Sequence, residues 1–176
     1  MNEYTEFQQE IAELMETVIN GTCPMDQFHL QVKALRMVYN STDLACGCAI
    51  LRNLLRVAVQ GKDHSVLAIK TAIQETISRW GENMLKNYSK DNRGILSYVI
   101  SICQERDNPF KHSFFPIILH ALYQHDIILE KTIFDWEAEM AHSSPSSATI
   151  FFNACRDFRA WLHDAPSADA DGDSDN

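Results

Sequence analysis

Residues 26–40 read DQFHLQVKALRMVYN and carry an apolar stripe at helical spacing. Steps of three and four residues place the members of this stripe on one helix face: Phe28, Val32, Leu35 and Tyr39. Leu30 and Met37 point to nearly the opposite side and form a second, shorter apolar strip. This second strip indicates either another packing layer of a helical stack or an exposed contact for a partner.

The same spacing recurs along the chain, separated by short breaks such as Asn20-Gly21-Thr22 and Ser143-Ser144-Pro145. It predicts eight helices, near residues 3–19, 26–39, 43–59, 64–87, 92–106, 112–124, 129–141 and 147–163. Asp63 and Asp91 stand at positions that favour an N-cap. No strand-like alternation competes, so we predict an all-α protein.

Eight helices with short loops pair most simply as four antiparallel hairpins, each burying a face on the next. We therefore expect one helical domain over residues 1–164. Residues 165–176 contain no large apolar side chain, and we predict that they form a disordered acidic tail.

Charge is distributed unevenly over the 176 residues, whose net charge is −9. Residues 126–176 hold 11 Asp and Glu against 3 Lys and Arg, whereas residues 1–125 are nearly balanced. Such an acidic end favours a basic partner and argues against direct binding of nucleic acid. Residues 1–20 are acidic and residues 21–125 are mildly basic. This distribution also allows the two acidic ends of the chain to lie against its basic middle.

The sequence contains no pattern typical of catalysis or of a resident cofactor. The seven histidines and five cysteines form no ligand spacing that favours a metal, and no phosphate-binding glycine loop is present. We therefore expect no bond-making enzyme, no cofactor and no metal. The acidic N-terminus and the absence of a long apolar run predict a cytoplasmic protein with no membrane partner.

Two segments that combine aromatic and acidic residues dominate the C-terminal half. They are residues 123–139, which include Phe134-Asp135-Trp136-Glu137, and residues 158–164, FRAWLHD. Each predicts an amphipathic helix with an acidic rim, and we expect Trp136 in the core and Trp161 partly exposed. Carboxylates at a helix C-terminus oppose the helix dipole, so Asp164 and the following acids favour a basic partner or a solubilising tail.

The order of these segments resembles the W2 domain of translation initiation factors. The residues that carry the resemblance are Leu122-Tyr123-x-x-Asp126-Ile127, Ile133-Phe134-Asp135-Trp136 and Phe158-x-x-Trp161-Leu162. Residues 26–40 are similar to a helix in the C-terminal catalytic segment of the epsilon subunit of initiation factor 2B. The resemblance covers essentially the whole chain and implies a HEAT-like stack of about four antiparallel hairpins.

The resemblance also implies guanine-nucleotide exchange on the GTPase translation initiation factor 2, without bond-making chemistry. Leu30 and Gln31 would act on the GTPase subunit, although the similar family carries Glu at the position of Gln31. A surface for the lysine-rich segment of the partner's beta subunit would include or overlie Asp126, Trp136, Glu137, Glu139, Trp161, Asp164, Asp169 and Asp171. Other subunits of the exchange factor complex are implied as further partners.

A second interpretation is a W2 adaptor that recruits basic partners without exchanging nucleotide, as in initiation factor 5 or the factor 4 gamma scaffold. Gln31 favours this adaptor, whereas the rest of residues 26–40 favours exchange. A third is an unrelated helical-repeat scaffold with an acidic tail.

Overall fold

A computed structural model of the chain describes residues 5–61, 65–106 and 109–164. Within these ranges the backbone forms helices and no β-strand, so the predicted all-α class is confirmed. The α-helices are α1 (Glu6–Ile19), α2 (Met25–Val38), α3 (Asp43–Val59), α4 (Val66–Thr76), α5 (Glu82–Leu85), α6 (Asn92–Gln104), α7 (Phe115–Gln124), α8 (Glu130–His142), α9 (Thr149–Ala154) and α10 (Arg156–Asp164). The predicted tail and Asp63 lie outside the described residues.

Side-chain caps account for several helix starts. Thr5 and Gln8 form a reciprocal capping box at the start of α1. Asp91 accepts a hydrogen bond of 2.8 Å from the backbone N–H of Gly94, so the predicted N-cap of α6 is confirmed. Each cap satisfies an amide at the first turn that has no partner within its helix.

Two of the predicted helices are less regular in the structure. The helix expected over residues 64–87 continues from α4 through a π-helical segment, Ile77–Gly81, into α5 and a short 3-10 turn, Lys86–Tyr88. The helix expected over residues 147–163 is interrupted at Cys155, whose backbone (φ −88°, ψ 5°) leaves the α-helical range. This interruption separates α9 from α10, and Leu162 of α10 is buried in the core.

Helices α1, α3, α4, α6 and α7 are linked by a series of helix–helix contacts. Helix α1 contacts α2 and α3, α3 contacts α4 and α6, and α7 contacts α4 and α6. Helices α8 and α9 pack against this assembly at α6 and α7. The arrangement is compatible with the expected HEAT-like stack. Among the described residues, no helix is both long and apolar enough to cross a membrane.

Helix α3 lies at the centre of the core, and its interior glycine has a packing role. A Cβ atom added to Gly47 would lie 2.6 Å from the backbone carbonyl oxygen of Tyr88 and 3.1 Å from Ile95. Glycine is otherwise unfavourable inside a helix. Its presence here lets the Lys86–Tyr88 turn approach α3, and this turn in turn supports α2.

Candidate functional site

The outward face of α2 exposes large apolar side chains. We call Leu30, Met37 and Val38 the helix-2 strip; their exposed fractions are 68%, 77% and 76%. On the opposite face, Phe28 and Val32 are fully buried. The strip is therefore not an inner packing layer, and of the two sequence-based interpretations the exposed surface agrees with the structure.

The helix-2 strip is carried by a helix that is fixed to its neighbours. His29 Nε2 lies 2.8 Å from the carbonyl oxygen of Asn83, and His29 Nδ1 lies 3.2 Å from the Tyr88 hydroxyl. These contacts hold α2 against α5 and the turn that follows it. Leu30 follows His29 in α2 and is exposed to solvent. The two contacts of the His29 ring therefore fix the orientation of the helix that carries Leu30.

Gln31 reaches a different surface from Leu30, because neighbouring helix positions diverge by about 100°. It lines an open groove between α1 and α2 with a volume of about 550 Å³. The groove is lined by Glu10, Glu13, Leu14, Thr17, Gln31, Ala34 and Leu35. The two residues predicted to act together therefore lie on different surfaces: Leu30 on the helix-2 strip and Gln31 at the edge of an acidic groove.

Trp136 lies behind a second exposed surface rather than on it. We call this the C-terminal surface and define it by its outward-facing residues: Asp126, Glu139, Trp161 and Asp164. Only 1% of the residue is exposed, and its ring meets Phe115 and Phe152 edge-on at centroid distances of 5.7 Å. The expected core position of Trp136 is therefore observed. Its contact with Phe152 places it next to the aromatic ring that Arg159 covers, at 3.6 Å from that ring's centroid.

Glu137 is already bound within the molecule. Its carboxylate accepts hydrogen bonds from Arg159 and, at 2.7 Å, from His163, both on α10. His163 also stacks on Phe134, with ring centroids 4.6 Å apart. Burial raises the pKa of Glu137, but the hydrogen bonds and charges of His163 and Arg159 outweigh it and hold the pKa below its usual value of 4.5. Glu137 therefore joins α8 to α10.

The other predicted acids differ in how far they are available. Glu139 accepts a 2.5 Å hydrogen bond from Arg93, which links α8 to α6. Asp126 is exposed in the turn after α7, at a φ of 53°, and Asp164 is exposed at the end of α10. Among the described residues, neither Asp126 nor Asp164 forms an ion pair. Asp169 and Asp171 lie outside the described residues.

Trp161 is 49% exposed and belongs to an aromatic cluster on α7 and α10. Its ring stacks on Phe158 with centroids 5.9 Å apart, and it meets His120 edge-on at 5.4 Å. Beside these rings lies an open pocket of about 490 Å³, whose lining includes Lys70 of α4. Burial and the Lys70 charge lower the pKa of His120, which favours the neutral form of its ring.

Sequence reasoning missed three side chains that shape this surface: His120, Arg159 and His163. Arg159 and His163 are basic residues inside segment 158–164, so their presence was a signal that nearby acids could be paired within the molecule. Which acid they reach depends on how α8 and α10 pack. Sequence spacing alone does not supply that geometry.

Known proteins resemble the region that contains this surface. Residues 91–172 match a family model described as W2, eIF4-gamma/eIF5/eIF2-epsilon. The chain carries a W2 domain. The match extends from the N-cap of α6 past α10, so the W2 domain includes Asp126, Glu137, Glu139, Trp161 and Asp164. Helix α2 lies outside it.

A similar curated protein extends the comparison to the N-terminal helices. Translation initiation factor eIF2B subunit epsilon from Dictyostelium discoideum is 27% identical over 163 residues, which is 90% of this chain. The chain spans 23% of that relative's length. Since 163 residues exceed the W2 match, the similarity also covers helices that precede the W2 domain. The two matches together support a role in translation initiation.

Proposed function

We propose that this chain acts in guanine-nucleotide exchange on the GTPase translation initiation factor 2. The observation that carries the proposal is the 27% identity to eIF2B subunit epsilon over 90% of the chain. Because the alignment covers 90% of the chain, it extends to α2 as well as to the W2 domain. The similarity therefore joins the W2 domain to the helix that carries the helix-2 strip.

Exchange of this kind requires binding energy and no bond-making chemistry. A protein that binds the nucleotide-free GTPase more tightly than the nucleotide-bound form must weaken nucleotide binding by the same factor. In this proposal, the helix-2 strip supplies the contact with the GTPase subunit. Leu30 is suited to that role because it is exposed and its helix is held in place through His29.

The C-terminal surface serves the lysine-rich segment of the beta subunit in the same proposal. Asp126, Asp164 and the outer edge of Glu139 provide negative charge, and Trp161 provides an exposed aromatic face. Trp136 and Glu137 support that surface from behind, and Asp169 and Asp171 extend its charge along the sequence. Charges at the rim of an interface raise the association rate and fix orientation more than they deepen affinity.

The wider setting follows from the relative's name. We propose that other subunits of that complex are partners of this chain and that it acts in the cytoplasm; the similarity to an initiation factor subunit supports both. A W2 adaptor that recruits basic partners without exchange is the second candidate. The neutral side chain of Gln31 favours the adaptor, because the similar family carries Glu there.

Release of labelled GDP from purified initiation factor 2, measured with and without this chain, separates exchange from recruitment. We expect faster release with the chain, and a slower response with Leu30→Ala. Leu67→Ala is the matched control, since Leu67 is 73% exposed on α4 and lies outside both surfaces. Unchanged GDP release despite measurable binding of the GTPase would assign the adaptor role instead.

A further inference from the structure

We propose that the groove between α1 and α2 is a docking site for a basic, amphipathic segment of the GTPase partner. Glu10 and Glu13 of α1 supply its negative charge, and Leu30 and Ala34 of α2 extend it as an apolar edge. The choice of partner rests on the proposed function, whereas the chemistry of the groove follows from the residues that line it.

The groove combines an apolar floor with one acidic wall. Leu14 and Leu35 form the floor and are only partly buried against the core, so apolar surface remains open. Glu10 and Glu13 stand on the α1 side, and Gln31 and Ala34 stand on the α2 side. A segment that fills the groove could therefore bury apolar side chains while its cations face α1.

Glu10 is held in a defined orientation. Its carboxylate accepts a 2.6 Å hydrogen bond from the Tyr39 hydroxyl, and this bond is the main cause that raises the pKa of Tyr39 to about 12. The Tyr39 ring is supported by Phe7, at a centroid distance of 5.6 Å. A carboxylate has about four acceptor sites, so a single hydrogen bond leaves capacity for a cationic partner. The fixed carboxylate reduces the ordering cost of binding.

Charge complementarity identifies the occupant as basic. Between Thr5 and Asn20, the sequence contains four Glu and no Lys or Arg. Arg56 contacts Glu16, which lies beyond the groove lining, at 3.3 Å. Lys33 lies about 200° around α2 from Gln31 and so points away from the groove. The groove therefore presents net negative charge to an approaching partner.

The groove is continuous with the helix-2 strip. Leu30 and Ala34 are one helical turn apart and share a face, and Ala34 also lines the groove. A helix docked along α2 could thus place one apolar edge on Leu30 and a cation near Glu13. The same geometry explains why a neutral residue suits position 31. A carboxylate there would be the third in the groove, after Glu10 and Glu13. The neutral Gln31 avoids that repulsion while α1 supplies the charge.

The test measures two quantities on the same proteins: binding to the purified, nucleotide-free GTPase subunit of initiation factor 2, and its GDP release. The variant is Glu10→Gln with Glu13→Gln, in which the amide at position 10 still accepts from Tyr39. Its control, Glu75→Gln with Glu130→Gln, removes the same net charge elsewhere. A triple variant adds Gln31→Glu to the groove double variant.

We expect about tenfold weaker binding for the groove double variant at low salt, a smaller salt dependence, and unchanged binding for the control. The triple variant should recover part of the loss, because it returns one carboxylate to the groove. Equal binding by the groove double variant and the parent overturns the groove while leaving exchange intact if the parent still accelerates release. Weaker binding without any acceleration by the parent retains the groove and overturns exchange. A parent that does not bind the GTPase overturns both.

Discussion

The helix-2 strip and the C-terminal surface differ in how much of their chemistry the fold already uses. Leu30 and Met37 expose more than two thirds of their surface, although the sequence allowed them a place in the interior. On the C-terminal surface, the acids that dominate the sequence are partly bound: Glu137 to Arg159 and His163, and Glu139 to Arg93. A count of charges in a segment therefore overstates the charge that a partner meets.

This difference assigns different roles to residues that looked equivalent in the sequence. Trp136 and Glu137 organise the W2 domain from within, whereas Trp161, Asp126 and Asp164 face outward. The helix-2 strip offers mainly apolar contact to a partner. The C-terminal surface offers mainly the charge of Asp126 and Asp164, which form no ion pair among the described residues. Substitutions test this division: those of supporting residues should lower stability, and those of outward-facing residues should weaken binding.

The largest expected effect separates Trp161, on the C-terminal surface, from Trp136, which lies behind it. Trp136→Ala should lower the free energy of unfolding by about 3–5 kcal/mol, because it removes a fully buried ring between Phe115 and Phe152. Trp161→Ala should cost about 1 kcal/mol or less, since half of that residue is already exposed. Urea unfolding followed by circular dichroism measures both. Equal losses would contradict the division between support and surface.

The next effect concerns the internally bound acid. Glu137→Gln should lower the free energy of unfolding by about 2 kcal/mol, because Arg159 and His163 lose a charged acceptor in a partly buried site. Glu139→Gln is the control and should change it by about 0.5 kcal/mol or less, since its pair with Arg93 is exposed. A larger loss for Glu139→Gln would show that the two ion pairs have been ranked wrongly.

The Glu137 pair also predicts an acid dependence with a definite sign. Its folded pKa is lowered, so its stabilisation is fully present above the usual value of 4.5 and is lost as pH falls through the lower folded pKa. The difference in unfolding free energy between the parent and Glu137→Gln should therefore shrink below about pH 4.5. A difference that stays constant from pH 7 to pH 3 would remove the carboxylate as its cause.

The helical fold was predictable because burial repeats locally along each helix. Helical spacing places Phe7, Ile11, Leu14 and Val18 on one face of α1. Of these, Phe7, Ile11 and Val18 are buried, whereas Leu14 is only partly buried. Each of the eight predicted helices has a counterpart in the described residues. The interruption at Cys155 was not predictable, because helical spacing runs through it and only packing separates α9 from α10.

The site was less predictable than the fold because its geometry is long-range. Glu137 and Arg159 are far apart in sequence and meet only when α8 packs beside α10. The divergence of Leu30 and Gln31 follows from helix geometry, but the identity of the groove beside Gln31 depends on where α1 lies. Gly47 shows the same limit, since its need for a small residue comes from the carbonyl of Tyr88.

A smaller effect on stability is expected at the helix-2 strip. Leu30→Ala should change the free energy of unfolding by about 0.5 kcal/mol or less, because Leu30 is mostly exposed. The chemically identical substitution Leu54→Ala, at a fully buried position of α3, should cost about 2–5 kcal/mol. Thermal unfolding of the two variants compares them directly. A large loss of stability for Leu30→Ala would show that Leu30 packs in the interior, and would contradict its proposed contact with the GTPase.

The smallest effect is kinetic and concerns the exposed acids of the C-terminal surface. Asp126→Asn with Asp164→Asn should slow the association of a lysine-rich peptide by a few-fold at low salt, with little change in stability. The difference should fade near 0.15 M salt, where exposed charges are screened beyond about 8 Å. Asp135→Asn with Asp157→Asn is the matched control, because both of those acids are already paired, with Lys131 and Arg156. Stopped-flow association measures the rates. If the control pair slows association as much as Asp126 and Asp164 do, total charge rather than unpaired charge governs the encounter.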